Sequence, residues 1–102
     1  MKFALISDNH DTLTGMRLAG IEGVVVHDRQ STENALNDAV GREDVGVLLI
    51  TERLVKLCPD TVYDLKLNRH RPLIVEIPDR HADGRSKDSI MRYIREAIGV
   101  KI

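Results

Sequence analysis

Tryptophan is absent, and one phenylalanine and two tyrosines are the whole aromatic complement of the 102 residues. Phe3, Tyr63 and Tyr93 lie far apart in sequence, so no stacking platform for nucleic-acid bases is offered. Charge of a single sign is also lacking: 15 Lys and Arg face 16 Asp and Glu, for a formal net of −1. Neither nucleic acid nor an anionic membrane surface is attracted by such a balance. Cysteine occurs once, as Cys58, so no internal disulfide can form and a reducing, cytoplasmic compartment fits. No apolar run approaches the roughly 20 residues that cross a bilayer. The first residues lack the basic stretch and long apolar core of a signal peptide. Direct membrane insertion is therefore not expected, and any membrane association runs through partners.

Glycine is missing from the first turn, Ser7 to Thr14, so no backbone cradle for a pyrophosphate is prepared there. No Walker sequence occurs either. These absences predict no bound nucleotide and no cofactor.

What is present starts with a strand, a turn and a helix. Lys2-Phe3-Ala4-Leu5-Ile6 is a short apolar run, and Ser7-Asp8-Asn9-His10-Asp11-Thr12 is rich in turn and cap residues. A helix over about Thr12 to Ala19 follows, with Gly20 as its left-handed terminator. Asp8 and His10 form an Asp-x-His pair after the strand, which resembles the opening of metallophosphoesterases. Strand alternation would turn both side chains to one side, where they could grip a cation. That chemistry needs a two-metal site with several further ligands from later strand ends. His27, His70 and His81 stand in no Gly-Asn-His or Gly-His-x-His setting. Asp8, Asn9 and Asp11 therefore read as turn and N-cap, and no catalytic or metal residue is assigned.

Gly23-Val24-Val25-Val26-His27 is β-branched and continuous, which predicts a buried parallel strand. Asp28-Arg29-Gln30 reads as a loop, with Ser31 or Thr32 capping a helix over Glu33 to Val40 that Gly41 stops. Val45-Gly46-Val47-Leu48-Leu49-Ile50 is the most hydrophobic run and predicts the central strand, covered on both faces. Thr51 should cap the next helix, whose first turn places Glu52 at the positive end of the dipole. Cys58, among Leu54, Val55 and Leu57, reads as a small apolar filler. Pro59 breaks that helix and opens another to about Asn68, with Val62, Leu65 and Tyr63 as its packing candidates. Asn68-Arg69-His70-Arg71 is a basic loop and a candidate docking rim. Pro72 to Pro78 is an edge strand, bracketed by prolines and carrying Glu76.

Residues 79–87 carry one apolar residue, Ala82, and predict a mobile surface loop; the cluster of Arg80, His81, Asp83 and Arg85 has no packed neighbours to orient a ligand. Ser86 should cap a C-terminal amphipathic helix in which Ile90, Ile94, Ala97 and Ile98 share one face while Lys87, Arg92 and Arg95 face water. Val100 and Ile102 extend past its Gly99 stop. Ile90, Ile94, Ile98, Val100 and Ile102, with Arg92 and Arg95, are the candidate partner-binding set.

The alternation of strands and helices predicts an α/β fold, a small doubly wound four-stranded parallel sheet of order 2-1-3-4 with helices on both faces. The chain reads as a single domain over 1–102, divided into a β/α core at 1–78 and a loop and helix at 79–102. That order is similar to flavodoxin-like and receiver domains, whose ligands sit beside the first and third strands, here at Asp8 and Thr51. A receiver would need a phosphorylatable aspartate where Thr51 stands, and a fifth strand with its lysine.

Four segments carry a wider resemblance. Asp11-Thr12-Leu13-Thr14-Gly15-Met16-Arg17-Leu18-Ala19-Gly20-Ile21 is similar to the segment after strand one in the F subunits of archaeal and bacterial A/V-type ATPases. Val47 to Arg53 resembles that family's third strand and Thr-Glu turn. Pro72 to Pro78 resembles its fourth strand, and Ile94 to Ile102 its Ala-Ile-Gly-Val ending. Met16 departs from the pattern, where the family often has an aromatic residue. The resemblance implies a non-catalytic central-stalk rotor subunit. It would bind the coiled-coil D subunit beneath the A/B head and couple ion translocation to ATP synthesis or hydrolysis. It further implies a cytoplasmic protein peripheral to the cell membrane through the complex, with a C-terminal helix that regulates hydrolysis. The alternative is a receiver-like signalling domain or a metal-dependent phosphoesterase using Asp8 and His10.

Overall fold

Four strands run in one direction in a computed structural model that describes residues 2–78. They are β1 (Lys2–Ser7), β2 (Glu22–Val25), β3 (Val45–Thr51) and β4 (Leu73–Ile77), in spatial order β2-β1-β3-β4. The connecting helices are α1 (His10–Leu18), α2 (Arg29–Val40), α3 (Glu52–Leu57) and α4 (Pro59–Asn68). The strand order and the alternation of elements are those expected from the sequence. The loop expected at 79–87, the helix after Ser86 and the partner-binding set Ile90, Arg92, Ile94, Arg95, Ile98, Val100 and Ile102 lie outside the described residues.

Every residue of β3 is buried, which a strand with neighbours on both sides and helices over both faces requires. Its even-numbered Leu48 and Ile50 join Ala4, Ile6 and Ile74 against Leu36 and Ala39 of α2, Leu54 of α3, Cys58 and Val62 of α4. Its odd-numbered Val47 and Leu49 join Leu5, Val75 and Ile77 on the opposite face, with Met16 of α1 and Ile21. Val45 breaks the parity and packs with the even set. The cause is a register shift: Lys2 pairs with Val45 but Phe3 with Val47, so Gly46 is an extra residue on β3. Each large aliphatic side chain fully buried in these layers stabilises the fold by roughly 1.5–3 kcal/mol.

α1 begins at His10, two residues before the sequence suggests, with Asn9 as its N-cap. The Asn9 Oδ1 accepts the Thr12 amide at 2.7 Å and satisfies one of the free donors of the first turn. At the other end Gly20 adopts φ +85°. The Gly20 amide donates to the Arg17 carbonyl, and the Ile21 amide to the Met16 carbonyl, both at 3.0 Å. This doubled bonding is a Schellman closure, and Ile21 and Met16 meet in the same apolar layer, as that motif favours.

Three local expectations are corrected. β2 alternates between exposed and half-buried residues, with Val24 47% exposed, because it is the outer strand beside β1. α2 starts at Arg29, so Ser31 and Thr32 lie in its first turn and Asp28 holds the cap position without a side-chain cap bond. The Thr32 hydroxyl donates back to the Asp28 carbonyl at 2.7 Å instead. Tyr63 points to solvent, 64% exposed, while Val62 beside it is buried.

Candidate functional site

In a doubly wound sheet a ligand crevice opens where the winding reverses, here between the carboxyl ends of β1 and β3. The chain uses that place for structure. The Ser7 hydroxyl donates to the Asn9 carbonyl at 2.9 Å and accepts the Asn9 amide at 3.0 Å, which folds the turn back on β1. Asp8 lies next in line with a side chain only 10% exposed, and its carboxylate is 3.6 Å from Nε of Arg53 on α3. The ion pair joins the β1 turn to the helix that follows β3. His10 is exposed on the first turn of α1, so strand alternation does not bring it beside Asp8 as the sequence pattern suggested. Among the described residues no three His, Cys, Asp or Glu side chains assemble into a metal-binding group.

Thr51, at the end of β3, precedes α3 in the cap position, yet its hydroxyl makes no cap bond. Its Oγ1 is buried and has no hydrogen-bond partner among the described residues. A threonine here offers no carboxylate to a phosphoryl group, so the position does not perform a receiver's chemistry. Arg53 is the participant that sequence reasoning missed. The signal available was its place in the first turn of the helix after the third strand, next to Asp8 once the order 2-1-3-4 is assumed.

Cys58 is fully buried between α3 and α4, with Sγ 3.6 Å from the Leu54 carbonyl. Burial, reinforced by the Glu33 carboxylate, pushes its thiol above the ordinary value. A protonated, enclosed thiol is a packing group and a poor nucleophile.

The surface is more distinctive than the crevice. Tyr63 and Leu67 are one helical turn apart on α4 and are 64% and 66% exposed. Leu73, at the start of β4, is 48% exposed. The loop Arg69-His70-Arg71 between them is fully on the surface. Apolar and guanidinium groups side by side are the composition of protein interfaces. Among the described residues no helix is long and apolar enough to cross a membrane.

Residues 3–94 match the family described as ATP synthase (F/14-kDa) subunit. The chain is 36% identical over 107 residues to the F subunit of the A-type ATP synthase of Thermococcus kodakarensis, covering 100% of this chain and 98% of that protein. It is 34% identical over 103 residues to the corresponding A-type F subunit of Methanocaldococcus jannaschii, covering 100% of this chain and 99% of that one. Among solved structures it is similar to the F subunit of the V-type ATP synthase from Archaeoglobus fulgidus, with a TM-score of 0.62 and 27% sequence identity over 74% of this chain and 95% of that chain.

Proposed function

The chain belongs to the family of ATP synthase (F/14-kDa) subunits, and from that premise we propose that it is a non-catalytic central-stalk component of an A/V-type ATP synthase. Its work is mechanical. It grips the coiled-coil D subunit and turns with it beneath the A/B head, so that ion translocation in the membrane part is coupled to ATP synthesis or hydrolysis. It is cytoplasmic and reaches the membrane only through the complex.

The observation that carries this reading is the end-to-end similarity to F subunits, which spans the apolar core and the polar turns alike. The crevice supports it from the other side, since Asp8 is engaged by Arg53 and not presented to a substrate. A part that transmits force needs a core stable by itself, which the two packed layers supply. It also needs surface that another protein covers. Ile90, Ile94, Ile98, Val100 and Ile102, with Arg92 and Arg95, are proposed as one such surface on the segment 79–102. That segment forms a regulatory unit distinct from the 1–78 core within a single domain, and it modulates ATP hydrolysis.

Copurification tests the reading. The chain expressed together with the coiled-coil D subunit is expected to yield a stable stoichiometric complex. Trimming after Gly84 is expected to weaken binding or to release ATP hydrolysis from control. Failure to bind D, together with a manganese-dependent phosphatase activity abolished by Asp8→Ala, would establish the phosphoesterase alternative instead.

A further inference from the structure

The amino end of the sheet carries an arrangement that the crevice does not explain. A cleft of about 260 Å³ opens there, between the end of α2 and the α4–β4 loop. Arg42, Arg69 and Arg71 line it, with Glu43 as its one acidic lining residue. The three arginines come from two segments 27 residues apart in sequence, brought together because β3 and β4 are parallel neighbours whose amino ends coincide. Lys2 and Asp44 stand beside them, where Asp44 lies 3.5 Å from Lys2 and 3.6 Å from Arg42. Four cations thus surround two carboxylates, in a chain whose formal net charge is −1.

The pairing leaves a defined remainder. Arg69 donates to the Val40 carbonyl at 3.4 Å and so leans on the negative end of α2. Arg71 makes no hydrogen bond or ion pair among the described residues, and it is exposed. It lines the same cleft as Arg69, where Glu43 is the one acidic lining residue. Exposed apolar side chains flank this loop on both sides, Leu67 before it and Leu73 after it. A free phosphate needs donors and nothing apolar. A protein segment uses both, and arginine with aliphatic neighbours is the composition of an interface core.

We propose that the amino end of the sheet, centred on Arg69 and Arg71 with Leu67 and Leu73 beside them, is a docking surface for an acidic helical segment of the stalk partner. This rests on the central-stalk reading above. The fitting segment presents Asp or Glu one helical turn apart, to meet the two guanidinium groups, with an aliphatic residue between them to cover the leucines. The surface lies at the end of the sheet opposite Pro78.

The test uses the full-length chain and the purified coiled-coil D subunit, with affinity measured at low and at moderate salt. Wild type is expected to bind, more weakly as salt rises. Arg69→Glu/Arg71→Glu is expected to bind about tenfold more weakly or worse and to lose most of that salt dependence. Arg71→Glu alone breaks no hydrogen bond or ion pair among the described residues, so it separates the surface from folding, and it is expected to lose affinity a few-fold. Arg69→Lys/Arg71→Lys should retain binding. If wild type does not bind D, the central-stalk reading falls and this surface with it. If wild type binds and Arg71→Glu and the double reversal bind equally well, the surface alone is overturned. Tight binding of tripolyphosphate by wild type, with D affinity unchanged in the reversals, would make it a small-anion site and overturn the proposal as well.

Discussion

Arg29 on α2 and Asp60 on α4 clasp two helices that share no sequence neighbourhood, with Nη2 of the arginine 2.9 and 3.1 Å from the two carboxylate oxygens. The same guanidinium reaches Glu33 through Nε at 3.1 Å, and Glu33 in turn accepts the Thr61 hydroxyl at 2.7 Å. The Asp60 carboxyl is held below its ordinary value by its hydrogen bond to Arg29. A depressed carboxylate contributes stability that is complete above the unfolded value and is lost as pH falls through the native one. The thermal midpoint of wild type should therefore fall as pH drops below the normal carboxylate range, and Asp60→Asn should flatten part of that fall. The pair is exposed, so the effect is expected to be small and to shrink further in high salt. Thermal melts of both proteins from neutral to acid pH, at two salt concentrations, check it.

Thr51 yields an expectation of opposite sign to most core substitutions. Its hydroxyl is buried, at 2% exposure for the residue, with no hydrogen-bond partner among the described residues, so these leave its desolvation uncompensated. Thr51→Val keeps the shape and removes the orphan group. It should raise stability by about 1 kcal/mol, read as a higher urea midpoint at unchanged slope. A lower midpoint would mean that the hydroxyl has a bonding partner after all.

Gly23 is enclosed. A Cβ there would stand 2.6 Å from the Leu5 Cβ and 2.7 Å from the Leu5 carbonyl oxygen, so the β1–β2 contact must open to admit it. Gly23→Ala should cost about 1–3 kcal/mol by overpacking. Gly20→Ala meets nothing within 4 Å, yet forces a side chain onto φ +85°, at a cost of about 1–2 kcal/mol. Asparagine at position 20 should recover part of that loss, and none is expected for asparagine at position 23. Denaturant titrations of the four variants separate crowding from backbone strain.

Cys58 should resist alkylation in the folded protein and react freely in denaturant. It is fully enclosed, and burial raises its thiol pKa. The rate of reaction with a thiol reagent under native conditions then reports opening of the α3–α4 junction. Rapid labelling of the intact fold would contradict the packing role.

Much of the fold was legible because the decisive residues act locally. Gly20 needed its left-handed turn, Pro59 needed a first helical position, and Val45 to Ile50 was too apolar for anything but the middle of a sheet. The errors arose where a distant element decides. Val24 and Val25 read as buried, but β2 is an outer strand and no further strand stands beyond it among the described residues. Arg29 read as loop because its helical start is supported by Asp60, 31 residues away. The arginine cleft was half visible: Arg69 and Arg71 stand out in the chain, whereas Arg42 joins them only through the pairing of β3 with β4. The engagement of Asp8 by Arg53 was hidden for the same reason.

Because all four strands point one way, the two ends of this sheet are chemically unlike and cannot be exchanged. The seven residues of β3 separate them by about 20 Å at strand spacing. A part pinned at a single spot swivels about it and hands on no twist. One held at both ends acts as a short lever with a built-in heading, able to pass turning moment along an axle in either sense.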